Sequence, residues 1–161
     1  MSKLVKESLN QSFERESNNK LKNLGIGKIN LIKDWLKKYE IEYCVINKDL
    51  TLYSPKNVNL SYESLTEIPS YIQFERIDGD FSVRSNELES LRGCPKYVMR
   101  SFSCSDNNLK SLEYAPLYVG FNFWADRNPI PQNEIDKYKE YINDWQIKTD
   151  YANSLKIIKF Q

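Results

Sequence analysis

The sequence repeats itself every 21 residues, and self-similarity at a fixed short period limits a chain to stacked-coil architectures. FSVRSNELESLRGCPKYVMRS covers 81–101, FSCSDNNLKSLEYAPLYVGFN covers 102–122, and FWADRNPI opens a further copy at 123. In one ungapped register Phe81, Phe102 and Phe123 align, as do Val83, Cys104 and Ala125. Asn86, Asn107 and Asn128 share the next column, and Leu88, Leu109 and Ile130 the one after. Between the two full copies Leu91 matches Leu112, Pro95 matches Pro116, Tyr97 matches Tyr118 and Val98 matches Val119. A looser, two-residue-longer copy, VNLSYESLTEIPSYIQFERIDGD, precedes them at 58–80, with Glu63 in place of the asparagine.

The spacing has a physical cause. The alternation Phe-x-(Val/Cys/Ala) puts two side chains on one face of a short strand. The asparagine stands where the chain turns out of that strand, and its amide can bond backbone groups the turn leaves unpaired. Leu109 and Leu112 then point back into the same core, and the Pro…Tyr-Val segment returns the chain along the other side. One coil cannot bury its apolar edge alone, so neighbouring coils must stack. The prediction is an α+β protein built on a short solenoid of about three to four coils with parallel strands, Phe and Leu columns inside, and an asparagine ladder.

The residues at 102–112 resemble the leucine-rich-repeat pattern L-x-x-L-x-L-x-x-N-x-L: Phe102, Cys104, Asn107 and Leu109 occupy its last four fixed positions and Leu112 follows. The coil F-x-C-S-x-N-x-L-x-S-L-x-x-(A/C)-P-x-Y-V-G is similar to those of proteins encoded by tailed bacteriophages of gut Bacteroidales, including crAss-like phages. The head, KLVKESLNQSFERES followed by LGIG, also resembles leaders of such phage proteins. Arg84-Ser85 and Met99-Arg100 depart from the pattern, the latter standing where a glycine pair is expected, and make the first full coil more cationic. The resemblance implies a leucine-rich-repeat solenoid of phage origin that works by binding.

The flanks read as caps. Ile29, Ile32, Trp35, Leu36 and Tyr39 share a helical face within 26–39, and Gly25 and Gly27 are expected to break the chain just before it. Gly-Ile-Gly lacks the third glycine, the Lys-Ser/Thr and the preceding strand of a phosphate loop. EYCVIN and LTLY form a hairpin across Lys48-Asp49. After Pro131, Ile135, Tyr138, Ile142 and Trp145 share a face of a second amphipathic helix, and Leu155, Ile158 and Phe160 dock on the body or a partner. The expected organisation is a flexible or amphipathic leader at 1–22, a helix-plus-hairpin cap at 23–57, repeats at 58–130, and a helical cap with a tail at 131–161. In the leader Val5, Leu9 and Phe13 recur at four-residue spacing and could dock on a partner by folding on it.

Composition narrows the chemistry. There is no histidine among 161 residues, which removes the commonest general base and metal ligand together. Cys44, Cys94 and Cys104 are odd in number and far apart, fitting neither a disulfide framework nor a zinc spacing. Cys94 and Cys104 fall in structural repeat positions, and nothing cationic marks either as a thiolate. Paired carboxylates such as Asp78 and Asp80 or Glu87 and Glu89 are expected on turns or the convex side, outside any cleft. No catalytic residue, cofactor or metal is expected. The opening stretch lacks the apolar core of a signal peptide, and no apolar run reaches a membrane span, so a cytoplasmic location in the host cell or on a virion is expected. Residues 58–130 carry 7 Lys/Arg against 10 Asp/Glu, which argues against nucleic acid as a partner.

Residues alternating with the core positions of each strand line one outer face. These are Asn59 and Ser61, Ser82 and Arg84, Ser103 and Ser105, and Trp124 and Asp126, with Arg100 and Arg127 at the strand edges. Arg84 and Trp124 stand out, being residue types enriched at binding hot spots. The expected function is a protein-binding module that docks on a virion or host protein through this face. Two alternatives stay open: a structural virion component or packaged cargo targeted by the leader, and an inhibitor of a host defence enzyme.

Overall fold

A computed structural model describes residues 3–148 and 158–159 of the chain. Helix α1 runs from Lys3 to Lys38 and buries Ile32, Trp35 and Leu36, with Tyr39 packed beside them. That i, i+3, i+4, i+7 stripe is the cap face expected from the sequence. The expected break at Gly25 and Gly27 is corrected: both lie inside the uninterrupted helix. Neither glycine has a neighbour within reach of a Cβ, so the only cost there is intrinsic propensity, about 1 kcal/mol each. Good helix formers on both sides, Leu and Lys above all, outweigh it. The side chains of Val5, Leu9 and Phe13 lie outside the described residues, as do those of Ile142 and Trp145.

The helix stops in a Schellman turn. Glu40 takes a left-handed φ of 53°, its N–H donates to Lys37 O at 3.1 Å, and Ile41 N–H donates to Leu36 O at 2.9 Å. Lys37 and Lys38 add positive charge to the negative end of the helix dipole. The chain then forms the expected hairpin: β1 (Val45–Ile46) pairs antiparallel with β2 (Leu52–Ser54), Val45 opposite Tyr53. Its loop is held by Asp49, whose carboxylate accepts from the Thr51 backbone N–H and hydroxyl.

The repeats wind into a solenoid of two parallel sheets. The first strand of each coil is β3 (Val58–Asn59), β5 (Phe81–Ser82), β7 (Phe102–Ser103) and β9 (Phe123–Trp124). These pair in parallel, with Val58 beside Phe81, Phe81 beside Phe102 and Phe102 beside Phe123. The return segments are strands too: β4 (Phe74–Ile77), β6 (Tyr97–Val98) and β8 (Tyr118–Val119) continue from β2 as a second sheet ordered β1-β2-β4-β6-β8. The recurring Pro…Tyr-Val thus marks a second strand in both full coils.

Between the sheets lies one core. Phe81, Phe102 and Phe123 come from one side, Ile77, Val98 and Val119 from the other, and Leu88, Leu91, Leu109 and Leu112 fill the turns. The rings form an unbroken series from cap to cap: Trp35–Phe74 6.3 Å, Phe74–Phe81 5.3 Å, Phe81–Phe102 5.8 Å, Phe102–Phe123 5.0 Å and Phe123–Tyr138 5.3 Å between centroids. All fall in the favourable range for aromatic pairs. Helix α2 (Gln132–Lys148) begins just after Pro131 and closes the far end with Ile135 and Tyr138, whose hydroxyl donates to Pro116 O. The short strand β10 (Ile158–Lys159) joins β9 in parallel, Lys159 beside Trp124, and extends the first sheet by one strand. Leu155 and Phe160 lie outside the described residues.

Candidate functional site

The outer face of the sheet β3-β5-β7-β9 carries a groove of about 800 Å³. Strand alternation aims Asn59, Ser82, Ser103 and Trp124 outward at one position, and Ser61, Arg84, Ser105 and Asp126 two residues later. Arg127 closes one side. Every residue of the expected binding face lines this groove except Arg100, which is exposed outside it with its guanidinium 3.9 Å from the Asp80 carboxylate and above the Phe121 ring.

Two members of that face are less open than the alternation implied. Ser105 is buried, because its hydroxyl donates to the Asp126 carboxylate of the next coil. Trp124 is half-buried where β10 runs alongside β9. Arg84 stays exposed, as do Asn59 and Arg127, and Arg127 sits 3.5 Å from Asp126. The hydroxyls of Ser61 and Ser82 meet at 2.7 Å. Ser61 with Ser82 and Ser105 with Asp126 are therefore paired between coils.

What holds the groove's strands in place is an asparagine ladder. Asn86 accepts the backbone N–H of Leu65 at 2.9 Å and donates to Leu60 O and Val83 O. Asn107 accepts from Leu88 at 3.0 Å and donates to Val83 O and Cys104 O. Asn128 accepts from Leu109 at 3.1 Å and donates to Cys104 O and Ala125 O. Each rung reaches back one coil. Glu63 needs no such chemistry, because no earlier coil lies behind it to be bonded. The residue before each rung, Tyr62, Ser85, Asp106 or Arg127, has φ between 54° and 63°, and this kink turns the chain out of the strand.

A second ladder borders the other end of the strands. Asn57 Oδ1 accepts Asp80 N–H at 2.8 Å, Asp80 Oδ1 accepts Ser101 N–H at 2.9 Å, and Ser101 Oγ accepts Asn122 N–H at 3.4 Å. Sequence reasoning missed it because its three acceptors, Asn57, Asp80 and Ser101, are of different residue types. The shared signal was an acceptor one residue ahead of each strand.

Burial pushes the Cys44 thiol up to about 11, and Cys94 and Cys104, fully buried among apolar neighbours, rise further. Such thiols hold their protons and act as small apolar fillers. Asp78 lies on the opposite sheet, bonded by the Tyr53 hydroxyl at 2.6 Å and by Arg76 at 2.7 Å. These bonds hold its carboxyl below the usual range, the tyrosine first. Among the described residues no group of three or more Cys, Asp or Glu side chains is arranged to hold a metal ion, and no helix is long and apolar enough to cross a membrane.

Compared with known proteins, the chain matches no family model, no curated protein and no solved structure.

Proposed function

We propose that this chain is a non-catalytic protein-binding module that takes a segment of a partner along the groove of the β3-β5-β7-β9 sheet. The observation that carries this reading is convergence. The eight residues chosen from strand alternation, Asn59, Ser61, Ser82, Arg84, Ser103, Ser105, Trp124 and Asp126, line one groove whose floor is rigidified by two ladders. A rigid, preorganised face loses little entropy on binding. The leucine-rich-repeat resemblance and the phage-like coil and leader suggest a virion or host protein as the partner.

Filling the groove is the test. Ser103→Trp places a second indole at the position Trp124 already occupies one coil on, so the strand tolerates it while the groove closes. The reading expects a partner captured from host or infected cells by the native chain, lost with Ser103→Trp, and kept with Lys96→Ala on the opposite sheet. Equal capture by all three would overturn it.

A second reading rests on helix α1. Its described side chains at 18–20, 22–24, 26–28 and 30–31 are exposed, Leu24 and Leu31 among them. A helix of 36 residues is about 54 Å long, and among its described side chains those of the last turns reach the core. This favours a structural virion component or cargo tethered by the leader. Deleting residues 1–20 would then abolish particle association, while the far-ultraviolet circular dichroism of the solenoid persists. Retained association would exclude it. An inhibitor of a host enzyme is a third reading with no observation favouring it over these.

A further inference from the structure

Resting on the groove as a protein-binding face, the geometry points to a more specific occupant: an extended peptide segment that places an aspartate or glutamate side chain against Arg84 and Ser103. The inference begins with how the solenoid's arginines are used. Arg76 is paired with Asp78, Arg100 with Asp80 and Arg127 with Asp126, and Arg92 donates to the Tyr114 hydroxyl. Arg84 is different. Its guanidinium is exposed in the groove and has no ion pair or side-chain hydrogen bond among the described residues.

The hydroxyls around it divide in the same way. Ser61 and Ser82 share one hydrogen bond between their hydroxyls, and Ser105 donates to Asp126. The Ser103 hydroxyl, in the next strand beside Ser82, has no partner among the described residues. Among the described residues the groove thus holds an unpaired cation, Arg84, and an unpaired hydroxyl, Ser103, in adjacent coils. A planar guanidinium with a neighbouring hydroxyl suits a carboxylate, which can accept two parallel N–H bonds and an O–H bond together.

The same groove argues against a polyanion. Asp80 and Asp126 line it as well, so a run of phosphates would set some of its charge beside carboxylates. One carboxylate on an otherwise neutral chain meets only the cation. Tyr62, 69% exposed and also in the groove, lies in the coil next to Arg84, its N–H bonded to Arg84 O at 3.1 Å. It offers an apolar surface to the residue flanking the acid.

Fluorescence anisotropy decides the matter. The probe is a labelled serine-rich peptide with one glutamate next to one leucine, measured with the full chain at low salt and at about 0.3 M salt, where exposed charges are screened. A glutamine-for-glutamate peptide and a single-stranded oligonucleotide serve as comparison probes. The expected result is binding of the glutamate peptide that weakens with salt, roughly tenfold weaker binding with Arg84→Gln, and a smaller loss with Ser103→Ala. Arg76→Gln on the opposite sheet changes nothing. Equal affinity for the glutamine peptide, indifference to Arg84→Gln, tighter binding of the oligonucleotide, or no binding of the glutamate peptide would each overturn the inference. The protein-binding reading has its own separate outcome: a captured partner blocked by Ser103→Trp but untouched by Arg84→Gln keeps that reading and sinks this one.

Discussion

Asn107 Oδ1 accepts the backbone N–H of Leu88 from the preceding coil at 3.0 Å, while its amide nitrogen donates to Val83 O in that same coil at 2.9 Å. One buried side chain thus bridges two coils at the point where both leave their strands. Asn107→Ala leaves the Leu88 N–H without an acceptor inside the protein, and is expected to cost about 2–3 kcal/mol. Glu63→Ala, at the equivalent position of the first coil, is expected to change stability by less than about 0.5 kcal/mol. Urea denaturation of both variants checks the contrast, and similar midpoints would mean that the ladder contributes little.

The aromatic series predicts a second contrast. Phe102 is fully buried, with rings on both sides at 5.8 and 5.0 Å. Phe102→Ala should remove about 3–5 kcal/mol, a large part of the stability of a domain this size. Phe121→Ala, whose ring is 51% exposed, should stay near the native melting temperature. Thermal unfolding followed by circular dichroism would show the two apart.

Backbone conformation predicts a gain. Glu40 terminates α1 with a φ of 53°, a conformation that glycine adopts freely and other residues adopt at a cost. Its side chain is exposed, so little packing is lost on removing it. Glu40→Gly is expected to stabilise the protein by about 1 kcal/mol. Tyr114, with φ 64°, is the repeat counterpart of Gly93 at 90°, but there the gain is offset by loss of its contact with Arg92. Chemical denaturation of Glu40→Gly should show a raised midpoint; a lowered one would mean that the glutamate side chain matters.

Acid sensitivity follows from Asp78. The Tyr53 hydroxyl and then Arg76 hold its folded-state pKa below the unfolded value. Its stabilising contribution is therefore complete above the unfolded value of about 4 and disappears as pH falls through the lower folded one. Asp78→Asn should flatten the loss of stability below about pH 4 and lower stability at neutral pH. A pH series of denaturation midpoints, native against variant, reads both effects.

The fold was legible wherever one residue type recurs for one physical task. Phe81, Phe102 and Phe123 must stack, and Asn86, Asn107 and Asn128 must bridge turns, so the columns appear directly in the sequence. Tasks that several residue types can perform were not legible. Asn57, Asp80 and Ser101 all offer an oxygen to the next coil's N–H, and no single-letter column marks them. Tyr97-Val98 and Tyr118-Val119 are too short to announce a second sheet by alternation. Gly25 and Gly27 misled because local breakers are overruled when a long helix continues on both sides. For the groove, alternation placed its lining. It could not show that the Ser105 hydroxyl turns to Asp126 or that a strand from 158–159 comes to lie beside Trp124.

Because every rung of the two ladders spans only adjacent coils, the molecule behaves as a ruler graduated in units of twenty-one residues. Duplicating 102–122 in tandem would advance the distal terminus by one interstrand step, about 4.8 Å, and leave both ends chemically as they are. The span of the grooved sheet is therefore a parameter that evolution or an engineer can dial by counting copies, independently of what each copy displays.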